Sequence, residues 1–172
     1  MSRNIKSDRI VVKIGTSTLT DSTCMLDLKS MSNLVAQIAN LKNKRKEIII
    51  ITSGAIGSGK KELIIKKIKQ NDVITKQVCA AVGQIILMTN YHSLFSRFKI
   101  KIAQILLTYD DLSNIKTYTN LSNSINRLLK LGVIPIINEN DPISIDEIGP
   151  SFGDNDSLSA LIATKMNADL LV

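Results

Sequence analysis

Short β-branched and apolar runs alternate along the chain with longer segments whose apolar positions recur at helical spacing. The short runs cover residues 9–15, 47–52, 101–107, 133–138 and a last one from 169 onward. Each is apolar enough to be buried on both faces, as the strands of a parallel sheet are. Between them, Leu28, Leu34, Val35, Ile38, Ala39 and Leu41 mark one helical stripe. Val78, Val82, Ile85 and Ile86, continuing to Phe95, mark a second and longer one. A third helix is expected over 117–131, stopped by Gly132 in a C-cap position that tolerates positive φ. A fourth is expected over 156–166. This alternation predicts an α/β fold, a three-layer αβα sandwich around a mostly parallel sheet. No repeat, Pro- or Ser-rich linker or composition break divides the chain, so residues 1–172 are expected to form a single domain.

Composition narrows the classes. With 44% hydrophobic and 22% charged residues in 172, the chain can build a core and does not have the composition of a disordered segment. No stretch approaches the roughly 18 uninterrupted apolar residues of a bilayer span. Residues 1–8 are polar and lack the apolar centre of a secretory signal. A cytoplasmic location without membrane contact is the expectation. The net charge of +7 sits in runs at 42–46, 60–69 and 97–101. An aromatic content of 3% gives no stacking platform for nucleic acid, so these runs read as solvated faces. Cys24 and Cys79 have no CxxC spacing and His92 stands alone, so free thiols and no protein-held metal are expected.

In an open α/β sheet, ligands gather at the carboxyl ends of the strands. The first strand ends in Lys13-Ile14-Gly15-Thr16-Ser17, either a plain turn or one that aims N–H groups at anionic oxygens beside the lysine charge. The second feeds Ser53-Gly54-Ala55-Ile56-Gly57-Ser58-Gly59-Lys60-Lys61. This nearly matches the phosphate loop GxxxxGK[ST], but Lys61 stands where a Mg²⁺-binding hydroxyl is needed. The better reading is a helix start at which Ser53, Gly54 and the later glycines let backbone approach a small anionic ligand. The fourth strand delivers Asn138-Glu139-Asn140-Asp141-Pro142, where Asp141 either receives an ammonium group or forms an Asx-turn. Gly153-Asp154-Asn155-Asp156-Ser157 precedes an apolar helix, and one of these residues is expected to cap it. A lysine turn for phosphate, a glycine-rich helix start for an anion and acidic groups for an ammonium fit phosphoryl transfer to an amino acid.

Five segments in order carry a resemblance: Val11–Ser17, Thr52–Ile56, Ala80-Ala81-Val82-Gly83-Gln84, Ile137–Asp141 and Gly153–Asp156. Through them the chain resembles the glutamate 5-kinases, ATP-dependent γ-glutamyl kinases of the amino acid kinase family that open proline synthesis. The resemblance implies that Lys13 contacts the ATP phosphates and stabilises the transferring γ-phosphoryl, with Gly15, Thr16 and Ser17 around the phosphates. It implies glutamate binding by Ser53, Gly54, Asp141 and Asn155, and a catalytic Asp156 that orients lysines rather than acting as a base. L-glutamate and ATP are the implied partners, with Mg²⁺ bridging the phosphates, proline as a candidate feedback inhibitor and a homo-oligomer for the intact protein. Members of that family continue past a strand like 169–172 into a nucleotide-binding half, and many carry a PUA domain. The domain is therefore expected to be incomplete at its C-terminus, and the alternatives are that the chain alone serves as a non-catalytic module that retains glutamate binding or assembly, or that it belongs to another amino acid kinase.

Overall fold

A computed structural model describes residues 7–20, 26–69, 71–144 and 155–172. In chain order the elements are β1 Arg9–Ile14, α1 Thr16–Leu19, α2 Leu28–Asn43, β2 Glu47–Thr52, α3 Ala55–Glu62 and α4 Val73–Ser96. They continue as β3 Ile102–Leu107, α5 Tyr109–Ser113, α6 Ile115–Lys130, β4 Ile134–Glu139, a 3₁₀ turn Asp141–Ile143, α7 Asn155–Lys165 and β5 Leu170–Leu171. The five strands form one sheet in the order β3-β4-β2-β1-β5, and every neighbouring pair is parallel. All five carboxyl ends therefore lie at one rim, where the candidate residues are concentrated.

Alternate strand residues feed two cores. Ile10, Ile14, Ile48, Ile50, Ile134 and Ile136 pack on one face with Met31, Val35 and Ile38 of α2 and Leu87, Tyr91, Leu94 and Phe95 of α4. Val11, Ile49, Ile51 and Ile137 pack on the other with Ile125 and Leu129 of α6 and Leu158 and Ile162 of α7. Two helical layers on one parallel sheet make the expected αβα sandwich. Burying each such side chain contributes about 1.5–3 kcal/mol, which explains why β2, with five of its six residues buried, sits centrally. Asp27, Asp72 and Asn114 start α2, α4 and α6 by accepting backbone N–H groups that lack helical partners. Gly132 ends α6 at φ 77°, as its spacing predicts.

Two expectations need correction. The stripe assigned to α4 is only partly its buried side: Val78 and Ile85 are exposed, Val82 and Ile86 are half-buried, and the buried row is Cys79, Ala80, Gly83, Gln84, Leu87, Tyr91, Leu94 and Phe95. A helix apolar almost all round gives periodicity little power to choose a face. By length and composition α4 could also cross a membrane, yet here it is the core helix under β4. Residues 55–62 are helical after Gly54, in keeping with the helix start preferred over a phosphate loop, and Gly59-Lys60 lie within α3. Gly59 serves packing rather than a ligand: a Cβ there would collide with the Cys79 carbonyl, and one at Gly83 with the Ala55 carbonyl. The two glycines let α3 and α4 cross backbone against backbone. Cys79 is free and buried, and burial pushes its thiol pKa up. Cys24, Gly153, Asp154 and the cap of α7 lie outside the described residues.

Candidate functional site

The chain turns sharply at the end of β1. Gly15 precedes α1 without a side-chain cap, and Thr16 and Ser17 are exposed on its first turn, where N–H groups have no intrahelical acceptor. The Lys13 side chain folds over this turn: a Cβ on Gly15 would lie 3.2 Å from Lys13 Nζ. Lys13 Nζ also meets Asp156 Oδ1 at 2.5 Å, across from the start of α7. The two side chains are 30% and 66% exposed, so the pair is open to solvent. A lysine held beside glycine and hydroxyl residues by an exposed carboxylate suits an incoming phosphate.

At β2 the construction is different. Gly54 sits at φ 95°, a left-handed conformation that turns the chain from the strand into α3 and that a side chain would strain. Ser53, just before it, is buried. Asn155 reaches across from α7, and its Nδ2 donates to the Thr52 carbonyl at 2.9 Å, Ser53 Oγ at 2.7 Å and Asn138 Oδ1 at 3.3 Å. Asn138 Nδ2 donates to Gln84 Oε1 at 3.0 Å. Thr52 Oγ1 and the Tyr91 hydroxyl share a buried hydrogen bond of 2.9 Å. Burial pushes the Tyr91 pKa well above its ordinary value, with the Thr52 bond opposing, so the phenol stays neutral. This neutral network joins β2, β4, α4 and α7.

Asp141 opens the 3₁₀ turn after β4, followed by Pro142. It faces a cavity of 230 Å³ shared with Ala80, Ala81, Gln84, Gln104, Leu106 and Glu139. Glu139 accepts the Ser144 hydroxyl at 2.7 Å. The structure thus gathers Lys13, Gly15, Thr16, Ser17 and Asp156 at β1, Ser53, Gly54 and Asn155 at β2, and Asp141 beyond β4. Among the described residues no group of three or more His, Cys, Asp or Glu could hold a metal ion. His92 is exposed on α4 and takes no part. Sequence reasoning gave no role to Thr52, Gln84 or Tyr91. Gln84 and Tyr91 share a helical face with Ala80 and Leu87, and that spacing was the available signal.

The amino acid kinase family model matches residues 8–172. The chain belongs to the amino acid kinase family. Similarity to individual relatives of that family is high and partial in extent. A protein of Methanosarcina barkeri named glutamate 5-kinase is 49% identical over 96% of this chain and 45% of its own length. One of Caldanaerobacter subterraneus subsp. tengcongensis with the same name is 49% identical over 95% of this chain and 43% of its own length. A third, from Methanococcoides burtonii, is 45% identical over 96% of this chain and 44% of its own length. The chain spans less than half the length of these relatives. The all-parallel sheet between two helical layers agrees with that family membership.

Proposed function

We propose that this chain is the amino-acid-binding part of a glutamate 5-kinase, which transfers the γ-phosphoryl group of ATP to the γ-carboxylate of L-glutamate in the first step of proline synthesis. The observation that carries this reading is the Lys13–Asp156 pair set beside the Ser53–Asn155 cluster at one rim of the sheet. A glutamate γ-carboxylate has a reference pKa of about 4.3 and is ionised near pH 7, so it attacks without a general base. Its oxygen bonds to the γ-phosphorus as the bond to the β–γ bridging oxygen breaks, and ADP leaves with that oxygen. Lys13 offsets charge on the transferring group, and Asp156 orients Lys13 without taking a proton. Gly15, Thr16 and Ser17 offer donors to the phosphates. Ser53, Gly54, Asp141 and Asn155 hold glutamate, with Asp141 suited to its ammonium group.

Mg²⁺ belongs to this reading as part of the MgATP substrate, since Mg²⁺ is held mainly by substrate phosphates with one or two carboxylates rather than by an all-protein cage. The same reading has the protein working in the cytoplasm with proline as feedback inhibitor. It also has the intact protein as a homo-oligomer, which the exposed Ile74, Val78 and Ile85 of α4 support and light scattering would measure. The chemical test is to incubate the intact protein, of which this chain is the amino-acid-binding part, with ATP, Mg²⁺, glutamate and hydroxylamine. Glutamate-dependent γ-glutamyl hydroxamate is the expected product. Glutamate binding without product would leave a binding module, and absence of both would overturn the reading.

A further inference from the structure

The polarity of the buried amide chain is dictated from one end. The Thr52 carbonyl can only accept, so Asn155 must turn Nδ2 toward it, and that nitrogen also serves Ser53 Oγ and Asn138 Oδ1. Asn138 is then left with Nδ2 to offer Gln84, whose Oε1 accepts it. Each amide has one orientation compatible with its neighbour. Two atoms remain over at the ends: Asn155 Oδ1, an acceptor, and Gln84 Nε2, a donor. Both are buried and have no hydrogen-bond partner among the described residues. Gln84 is only 7% exposed, and an amide donor buried without a partner is costly to keep.

Gln84 also lines the 230 Å³ cavity that contains Asp141. Along the sheet order β4-β2-β1, the rim therefore presents Gln84 and Asp141, then Ser53 and Asn155, then Lys13 and Asp156. We propose that Gln84 is a specificity-determining residue of this site, whose Nε2 donates to the α-carboxylate of the amino-acid substrate. Asp141 faces the α-ammonium group beside it, and the substrate side chain extends across β2 toward Lys13. The inference rests on the glutamate reading and adds a direction to it: the head group is read at β4 and the reacting carboxylate lies at β1.

Calorimetric titration of the full chain with three probes tests this. They are L-glutamate, 4-aminobutyrate, which lacks the α-carboxylate, and glutarate, which lacks the α-ammonium. The wild-type chain is expected to bind glutamate about tenfold or more tightly than either analogue. Gln84→Glu keeps an acceptor for Asn138 and removes the donor. It should weaken glutamate about tenfold or more while leaving 4-aminobutyrate within about twofold, and Gln84→Met should give the same collapse of the ratio without added charge. Circular dichroism and a cooperative melt establish that each variant folds, and either variant suffices if the other does not. Parallel weakening of both probes, or unchanged glutamate affinity, would overturn the role of Gln84 while leaving the glutamate reading intact. A wild-type chain that binds none of the probes would remove that reading and this inference together.

Discussion

The rim of the sheet carries two polar constructions a strand apart, and they are built on opposite principles. At β1, Lys13 and Asp156 are charged, solvent-accessible and joined by one ion pair. At β2 and β4, Thr52, Ser53, Asn138 and Gln84 are neutral and at least nine-tenths buried, and they are tied by short hydrogen bonds with Asn155 and Tyr91. An exposed ion pair contributes at most about 1 kcal/mol to folding, so its partners are at liberty to rearrange around an arriving phosphate. A buried amide must be matched or it costs about 1–3 kcal/mol, so the second construction is rigid and linked to the fold. The contrast separates a reacting end from a recognising end: charge that must move stands in water, and the frame that must not move is a buried network of neutral groups beside the Asp141 carboxylate.

The largest effect expected from this contrast is on turnover. Lys13→Met should lower glutamate-dependent phosphoryl transfer by about 10²–10³-fold, the scale of removing one group that stabilises transition-state charge. Its unfolding free energy in urea should stay within about 1 kcal/mol of wild type. A large loss of stability would erase the distinction between the two ends. Asn138→Leu is the converse. It leaves Gln84 Oε1 without its donor inside the core and should cost about 2–3 kcal/mol in the same urea titration. Thr52→Val removes one partner of the buried Tyr91 hydroxyl, and a loss of about 1 kcal/mol is expected. A neutral result there would mean that the recognising end is less rigid than its hydrogen bonds imply.

The smallest effect lies far from both ends, at the start of β5. Asp169 accepts the backbone N–H groups of Asp8 and Arg9 at 2.7 and 2.8 Å, and these bonds hold its carboxyl below the usual range. A depressed carboxylate stabilises the fold above its unfolded pKa of about 3.9, and that contribution is lost as pH falls through the lower folded value. Melting temperatures between about pH 2 and 6 should therefore fall less steeply toward acid in Asp169→Asn than in wild type. An unchanged slope would show that the contact does not tie β5 to β1.

Much of this was legible in the chain because parallel strands are apolar on both faces, so β1, β2, β3 and β4 stand out within a residue or two. Lys13 and Ser53 could be read as site candidates since they lie at the end of such a run or just after it, and Asn155 and Asp156 since they lead into an apolar helix. The short helices α1 and α5 were not legible, for they hold four and five residues and show little more than one turn of periodicity, whereas the start of α3 was marked by Ser53-Gly54. The buried face of α4 was misread because Val78 and Ile85 are as apolar as Leu87, and only contact with the sheet selects between them. The packing use of Gly59 and Gly83 depends on where two helices cross, which no local pattern contains. The amide chain from Asn155 to Gln84 is oriented by a carbonyl 103 positions from Asn155, a backbone group that every residue possesses.

The central claim is that the recognising end is a ready-made amino-acid site. Its most direct test is calorimetric titration of L-glutamate into the wild-type chain and into Asn155→Leu, with folding of both verified by circular dichroism. Saturable binding to wild type and a loss of about tenfold or more in the variant are expected. Equal affinity in the two, or no saturable heat with the wild-type chain, would contradict it.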